Sequence, residues 1–184
     1  PLTQATAIYG LPWGLTLYGG DVFWQPYLNG ERAPFFSPEA RAGYFGISQH
    51  TTRAELLRAV FEGLAYAIVD SLQGYPQGGE LYLTGGGAAS ATWLQIIADC
   101  TGRTVVSSPF NELSARGAAI LAARSVDALS RYPALEQTRY RPHPQAHSRY
   151  AALYPVYRLL REQMLPVWQA RREALQRISQ EQRI

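Results

Sequence analysis

The sequence predicts an α/β protein with some parallel sheet. Two short apolar runs, "ELYLT" at 80–84 and "TVVSS" at 104–108, have the length of buried strands. Between and after them lie segments whose apolar residues recur three and four apart, the spacing of an amphipathic helix. Glycine and proline cluster at the joints. Strands that alternate with helices build a sheet covered by helices.

The elements follow in order. Residues 1–20 have weak periodicity and no clear first strand, so they read as the middle of something. "DVFWQPYLNGERAPFFSPEARAGYFGIS" is aromatic and broken by Pro26, Gly30, Pro34 and Pro38, which favours loops and short extended pieces. At Thr52 the pattern changes. Leu57, Val60, Leu64, Ile68 and Leu72 outline one helix face, Thr52 and Glu55 form a capping box, and Gly74 and Pro76 end the helix. Gly63 inside it costs helix stability and implies close packing against a neighbour. After "ELYLT" comes the turn "GGGAAS", then the helix "ATWLQIIADC" closed by Gly102. "NELSARGAAILAARS" is a further helix. Residues 127–147 read as loop, and the last segment returns to helical spacing through Tyr150, Leu153, Tyr154 and Tyr157. Pro155 and Pro166 there predict a kinked or broken helix. No internal repeat is visible.

Composition narrows the function classes. The chain has 184 residues, 47% of them apolar and 17% charged, which suits one globular domain or a large part of a bigger protein. The single cysteine, Cys100, excludes a disulfide framework. No leader pattern and no membrane-length apolar run are found, so the expected location is cytoplasmic, with no membrane partner. All 17 basic residues are arginine, and a Walker-type phosphate loop needs a lysine. The arginines near the end (Arg158, Arg161, Arg171, Arg172, Arg177, Arg183) read as a solvated helix face, with no nucleic-acid partner.

The glycine triplet Gly85-Gly86-Gly87 is the first candidate site. A strand, a glycine turn and a helix start leave backbone N–H groups free beside a ligand, and glycine lets a nucleotide approach the main chain. A tight turn without a ligand fits the triplet as well. A dinucleotide fingerprint fits less well, because Ser90 stands where its third glycine belongs and no acidic residue follows at the expected distance.

Three segments, in order, resemble the C-terminal domain of the FGGY carbohydrate kinases, a family that includes xylulokinase. The first is "PYLNGERAPFFSPEARAGYFGIS". In the second, Ala42, Tyr44, Gly46, Ile47, Glu55, Leu56, Ala59, Val60, Phe61 and Glu62 fill the family signature. The third is "LYLTGGGAASATWLQIIADCTGRTVV" followed by "NELSARGAAILA". Together they cover residues 20–125; residues 126–146 are then a loop-rich connection and 147–184 a C-terminal helical segment.

The resemblance implies an actin-like, ribonuclease H-like ATPase fold, of which this chain is expected to be the C-terminal lobe, truncated on its N-terminal side. It implies a kinase of a small sugar, a pentulose such as xylulose ahead of an aldonate (gluconate) or a polyol. Its cofactors would be ATP and Mg2+, the latter held mainly by the missing N-terminal lobe, which is then the expected partner. A homodimer is a further candidate assembly. Gly85, Gly86, Gly87, Ala88 and Ser90 would line the adenosine, with Arg116 and Gly117 beside them. No catalytic residue and no metal ligand is assigned to this chain, since Asp21, Asp70, Asp99 and Asp127 lack the setting of a catalytic base. A chain of this kind is expected to be inactive alone, and a non-catalytic remnant or partner-binding module is the rival reading. Glu31 and Arg32 are cleft candidates, or an ion pair that orders their loop. Trp93 either borders the adenine or belongs to the core. His143 and His147, four apart in a proline-rich stretch, lack the further ligands a metal needs.

Overall fold

The structure is a computed structural model that describes residues 20–76, 78–108, 112–125 and 135–182. The expectations for residues 1–19 and 126–134 lie outside these. Strands β1 (Phe23–Gln25) and β2 (Gly43–Phe45) form an antiparallel pair. Helix α1 (Arg53–Ser71) follows. Then come β3 (Leu81–Leu83), a short 3-10 turn at Gly86–Ala89, α2 (Ala91–Thr101) and β4 (Val105–Ser107). Helix α3 (Leu113–Arg124), β5 (Thr138–Tyr140) and α4 (Pro144–Glu181) complete the order. In the second sheet β4 is central, parallel to β3 and antiparallel to β5. The fold is therefore α/β with a parallel strand pair, as predicted.

Helix α1 starts where the sequence puts it. Thr52 Oγ1 accepts from Glu55 N, and Glu55 accepts from Thr52 N at 2.7 Å, so two orphan N–H groups are satisfied. The shared hydrogen bonds to Thr52 hold the Glu55 carboxyl below its usual pKa. The buried face differs from the predicted one. Ala59, Glu62, Gly63, Ala65, Tyr66 and Asp70 point inward, while Leu64 is exposed. Two carboxylates can sit there because each is paired. Glu62 lies 2.5 Å from Arg58 Nε and accepts from the Tyr150 hydroxyl at 2.8 Å. Asp70 pairs with Arg161 and accepts from the Tyr154 hydroxyl. Arg161 is thus not part of a solvated face: it is turned in from α4 and stacks over Phe35.

Gly63 is explained by contact. A Cβ there would lie 2.1 Å from the Trp24 carbonyl oxygen on β1, so α1 presses directly on the strand.

The main core joins Phe23, Tyr66, Leu94, Ile97, Cys100, Val105, Tyr150 and Tyr157, which brings α1, α2 and α4 together over both sheets. A second cluster of Tyr27, Ala40 and Trp168 ties the loop before β2 to the middle of α4.

Two expectations for the C-terminal part are corrected. Residues 127–147 are not all loop, because β5 pairs with β4 and α4 begins at Pro144. Helix α4 is neither broken nor split; it runs for 38 residues through both prolines. Pro155 and Pro166 lie on its exposed side, so water reaches the carbonyls of Ala151 and Glu162 that each proline leaves without a donor.

Candidate functional site

The glycine turn sits between β3 and α2. Gly85 has φ +85°, a conformation that disfavours any side chain, and it redirects the strand into the turn. Ala88 N donates to Gly85 O at 3.0 Å and Ser90 N to Gly87 O at 3.3 Å. The N–H groups of Gly86 and Gly87 meet no acceptor among the described residues. Ser90 caps α2 by accepting from Trp93 N at 3.3 Å.

The three glycines serve different ends. Gly85 supplies the backbone angle. Gly87 makes room for Trp93, since a Cβ would lie 2.2 Å from the indole Cζ3. Only Gly86 combines an ordinary backbone with open space around the missing Cβ. Trp93 packs against the core with its Nε1 buried and unpartnered, so it acts as the floor of the turn. Sequence reasoning missed one brace: Ser107, at the end of β4 in register with Leu83, donates to Ala88 O at 3.4 Å. Its position at the end of a strand beside the glycine turn is the signal that could have found it.

The other candidates are placed elsewhere. Arg116 and Gly117 lie in the first turns of α3, and Gly117 is exposed with open space around it. Glu31 does not pair with the Arg32 guanidinium. Its carboxylate accepts from the backbone N–H of Arg32 at 2.8 Å and of Ala33 at 3.4 Å, while its main chain bridges Ser37. This loop is held by the second cluster, and no hydrogen bond among the described residues links it to the glycine turn.

His143 and His147 both serve Asp99 on α2. The His143 N–H donates to Asp99 Oδ1 at 2.7 Å, and the His147 ring donates to the Asp99 carbonyl at 3.0 Å. Gln95 joins them by donating to Asp99 Oδ1 and to Arg141 O. Asp99 and Gln95 therefore fasten the start of α4 to α2. Among the described residues no group of three or more histidine, cysteine, aspartate or glutamate side chains that could hold a metal ion comes together. Burial pushes the Cys100 thiol well above its usual pKa, which leaves it a small apolar core residue.

Comparison with known proteins shows the family. The C-terminal domain of the FGGY family of carbohydrate kinases matches residues 5–126, which is most of the chain. The chain belongs to the FGGY family. Within that family it is 35% identical over 158 residues to xylulose kinase of Escherichia coli (strain K12), covering 79% of this chain and 32% of the relative. It is 32% identical over 163 residues to erythritol kinase of Brucella abortus (strain 2308), covering 81% and 31%. The crystal structure of xylulose kinase from Rhodospirillum rubrum superposes with a TM-score of 0.70 at 26% identity, covering 91% of this chain and 34% of that one. The chain thus spans about a third of the length of the FGGY kinases it matches. No helix among the described residues is long and apolar enough to cross a membrane.

Proposed function

We propose that this chain is the nucleotide-side lobe of an ATP-dependent carbohydrate kinase. The observation that carries the reading is Gly86: an open approach to bare main chain, at a strand-to-helix junction, beside two N–H groups without acceptors among the described residues. Gly85, Gly86, Gly87, Ala88 and Ser90 would hold the adenosine side of ATP, with Arg116 and Gly117 as a flank. Trp93 and Ser107 would keep the turn in shape from below. Glu31 would shape its loop rather than touch the sugar. The relatives' names favour a small sugar or polyol, a pentulose such as xylulose first and a polyol such as erythritol next; an aldonate such as gluconate is the further alternative. In this reading an N-terminal lobe supplies the base for the sugar hydroxyl and most of the hold on Mg2+. The lobe described here contributes nucleotide positioning and closure over the cleft. The cytoplasm is the proposed compartment.

Calorimetry with ATP and ADP tests the reading. Gly86→Val fills open space at an ordinary backbone angle, so it should leave stability unchanged and weaken nucleotide binding by roughly tenfold or more. Unchanged affinity would place the nucleotide elsewhere. A rival reading, a non-catalytic module that binds a partner chain, predicts no sugar phosphorylation when the chain is mixed with a separately produced N-terminal lobe of a relative.

A further inference from the structure

A cavity of about 520 Å³ lies between the loop at 38–41 and the last part of α4. It shares no residue with the glycine turn. The sequence explains why it is there. Trp168 is buried with Tyr27 and Ala40, which fixes one face of α4 against the loop. Arg171, Arg172, Leu175, Gln176 and Ser179 follow Trp168 at helical spacings, so they continue that face. An ion pair between Glu39 and Arg172 ties the loop to it. Ala40 is fully buried between Glu39 and Arg41, so a packed main chain positions both of these charged residues.

We propose that this cavity is a binding site for a small phosphate monoester, held by Arg41 and Arg171. Charge selects the class. Three arginines line the cavity against one carboxylate, Glu39, which leaves two positive charges in excess. Glu39 is already taken up by Arg172. Arg171 makes no hydrogen bond or ion pair among the described residues. Arg41 uses Nη1 to donate to the carbonyls of Pro38 at 3.0 Å and Ala40 at 2.6 Å. Those bonds orient its guanidinium and leave Nε and Nη2 without an acceptor among the described residues. A guanidinium edge of this kind matches paired phosphate oxygens. A phosphate dianion answers both surplus charges, whereas one carboxylate answers only one. The end of α4 opposes this with partial negative charge on its last carbonyls, about half a charge in all, which is less than the surplus. The rest of the lining suits an organic phosphate better than the bare ion. Gln176, Ser179 and Gln180 offer amides and a hydroxyl to the ligand's own hydroxyl groups, and Pro38 and Leu175 form an apolar wall for its carbon chain. The volume lies within the range of small-molecule sites, roughly 300–1,000 Å³.

This site does not depend on the nucleotide reading, and titration separates the two. Calorimetry on the full chain at low ionic strength takes ribose 5-phosphate as the probe, with ribose and inorganic phosphate as controls. Ribose 5-phosphate should bind saturably with a dissociation constant of about 1 mM or below. Ribose should not bind, and inorganic phosphate should bind at least about threefold more weakly, because it gains nothing from the polar and apolar walls. Arg171→Gln removes a side chain without a partner among the described residues, so far-ultraviolet circular dichroism should not change. Arg171→Gln and Arg41→Gln should each weaken ribose 5-phosphate binding by about tenfold, the loss of one charge-assisted contact. Gly86→Val, placed at the glycine turn, should leave that binding unaltered. No saturable binding, affinity no higher than for inorganic phosphate, equal binding of ribose, indifference to both arginine variants, or a loss in Gly86→Val would each overturn the inference.

Discussion

Gly87 and Gly86 are neighbours with opposite reasons for lacking a side chain, and substitution separates them. A Cβ at Gly87 would run into the Trp93 ring, whose Nε1 end is already locked in the interior. Gly87→Ala is therefore expected to lose about 2 kcal/mol in urea unfolding, the usual cost of forcing atoms into a packed site. Gly86→Ala should change stability by less than about 0.5 kcal/mol. If the clash is the cause, Trp93→Leu should restore most of the loss in the double variant, and a strictly additive pair would refute it. The triplet itself was legible in the sequence as a turn between a strand and a helix. Its division of labour was not, because it depends on a ring six residues further on that folds back beneath the turn. The same holds for Glu62. Its place in a family signature was visible, and its pair with Arg58 lies four residues apart on α1 itself, but its hydrogen bond from Tyr150 needs α1 and α4 brought together. Arg58→Ala would leave that carboxylate buried with one partner fewer, and we expect a loss of about 3–5 kcal/mol.

At the scale of the element, ends were easier to read than faces. The start of α1 follows from Thr52 and Glu55, three residues apart, and the end of α2 from Gly102 at φ +67°. Such caps are local chemistry, so the sequence carries them in full. The buried face of α1 is not local chemistry. Leucine spacing points to Leu57, Leu64 and Leu72, yet the helix turns Gly63, Glu62 and Asp70 inward because β1 supplies close backbone contact, Arg58 on α1 pairs with Glu62, and Arg161 on α4 pairs with Asp70. Strand β5 escaped notice for a related reason: three residues beside a proline-rich stretch form a strand only because β4 offers an edge. Gly63 gives a direct test of the close contact. Glycine to alanine inside a helix normally gains about 1 kcal/mol. Here the new Cβ would meet a backbone oxygen at 2.1 Å, which cannot rotate away as a side-chain tip could. Thermal and urea unfolding of Gly63→Ala should show a net loss of about 1–3 kcal/mol. Any gain would mean that α1 and β1 are not pressed together.

At the scale of the whole molecule, tyrosines form a joint inside the main core. Tyr66 stacks on Tyr157 with ring centroids 4.9 Å apart, Tyr150 and Tyr154 close around the same ring, and the Tyr27 and Tyr157 hydroxyls meet at 3.1 Å. The sequence shows the tyrosine-rich last helix but not that these rings form the joint between α1, α4 and the loop before β2. That joint has a consequence for pH. Burial, ahead of the nearby carboxylates, pushes the Tyr66, Tyr150, Tyr154 and Tyr157 hydroxyls far above their ordinary value, and Tyr27 up to about 12. Unfolded tyrosines ionise near pH 10. A group whose pKa is raised by folding binds its proton more tightly in the native state. Its contribution to stability is whole below about pH 10 and disappears as pH climbs through the folded value. Stability should therefore be flat with respect to these groups from neutral pH to about 10 and fall steeply from there toward 12. In an alkaline titration followed at 295 nm and by far-ultraviolet circular dichroism, one fraction of the phenolate signal should appear only together with the loss of helix. Complete phenolate formation near pH 10 with the dichroism intact would show that the rings are open to water, and the tyrosine joint would not be what closes the fold.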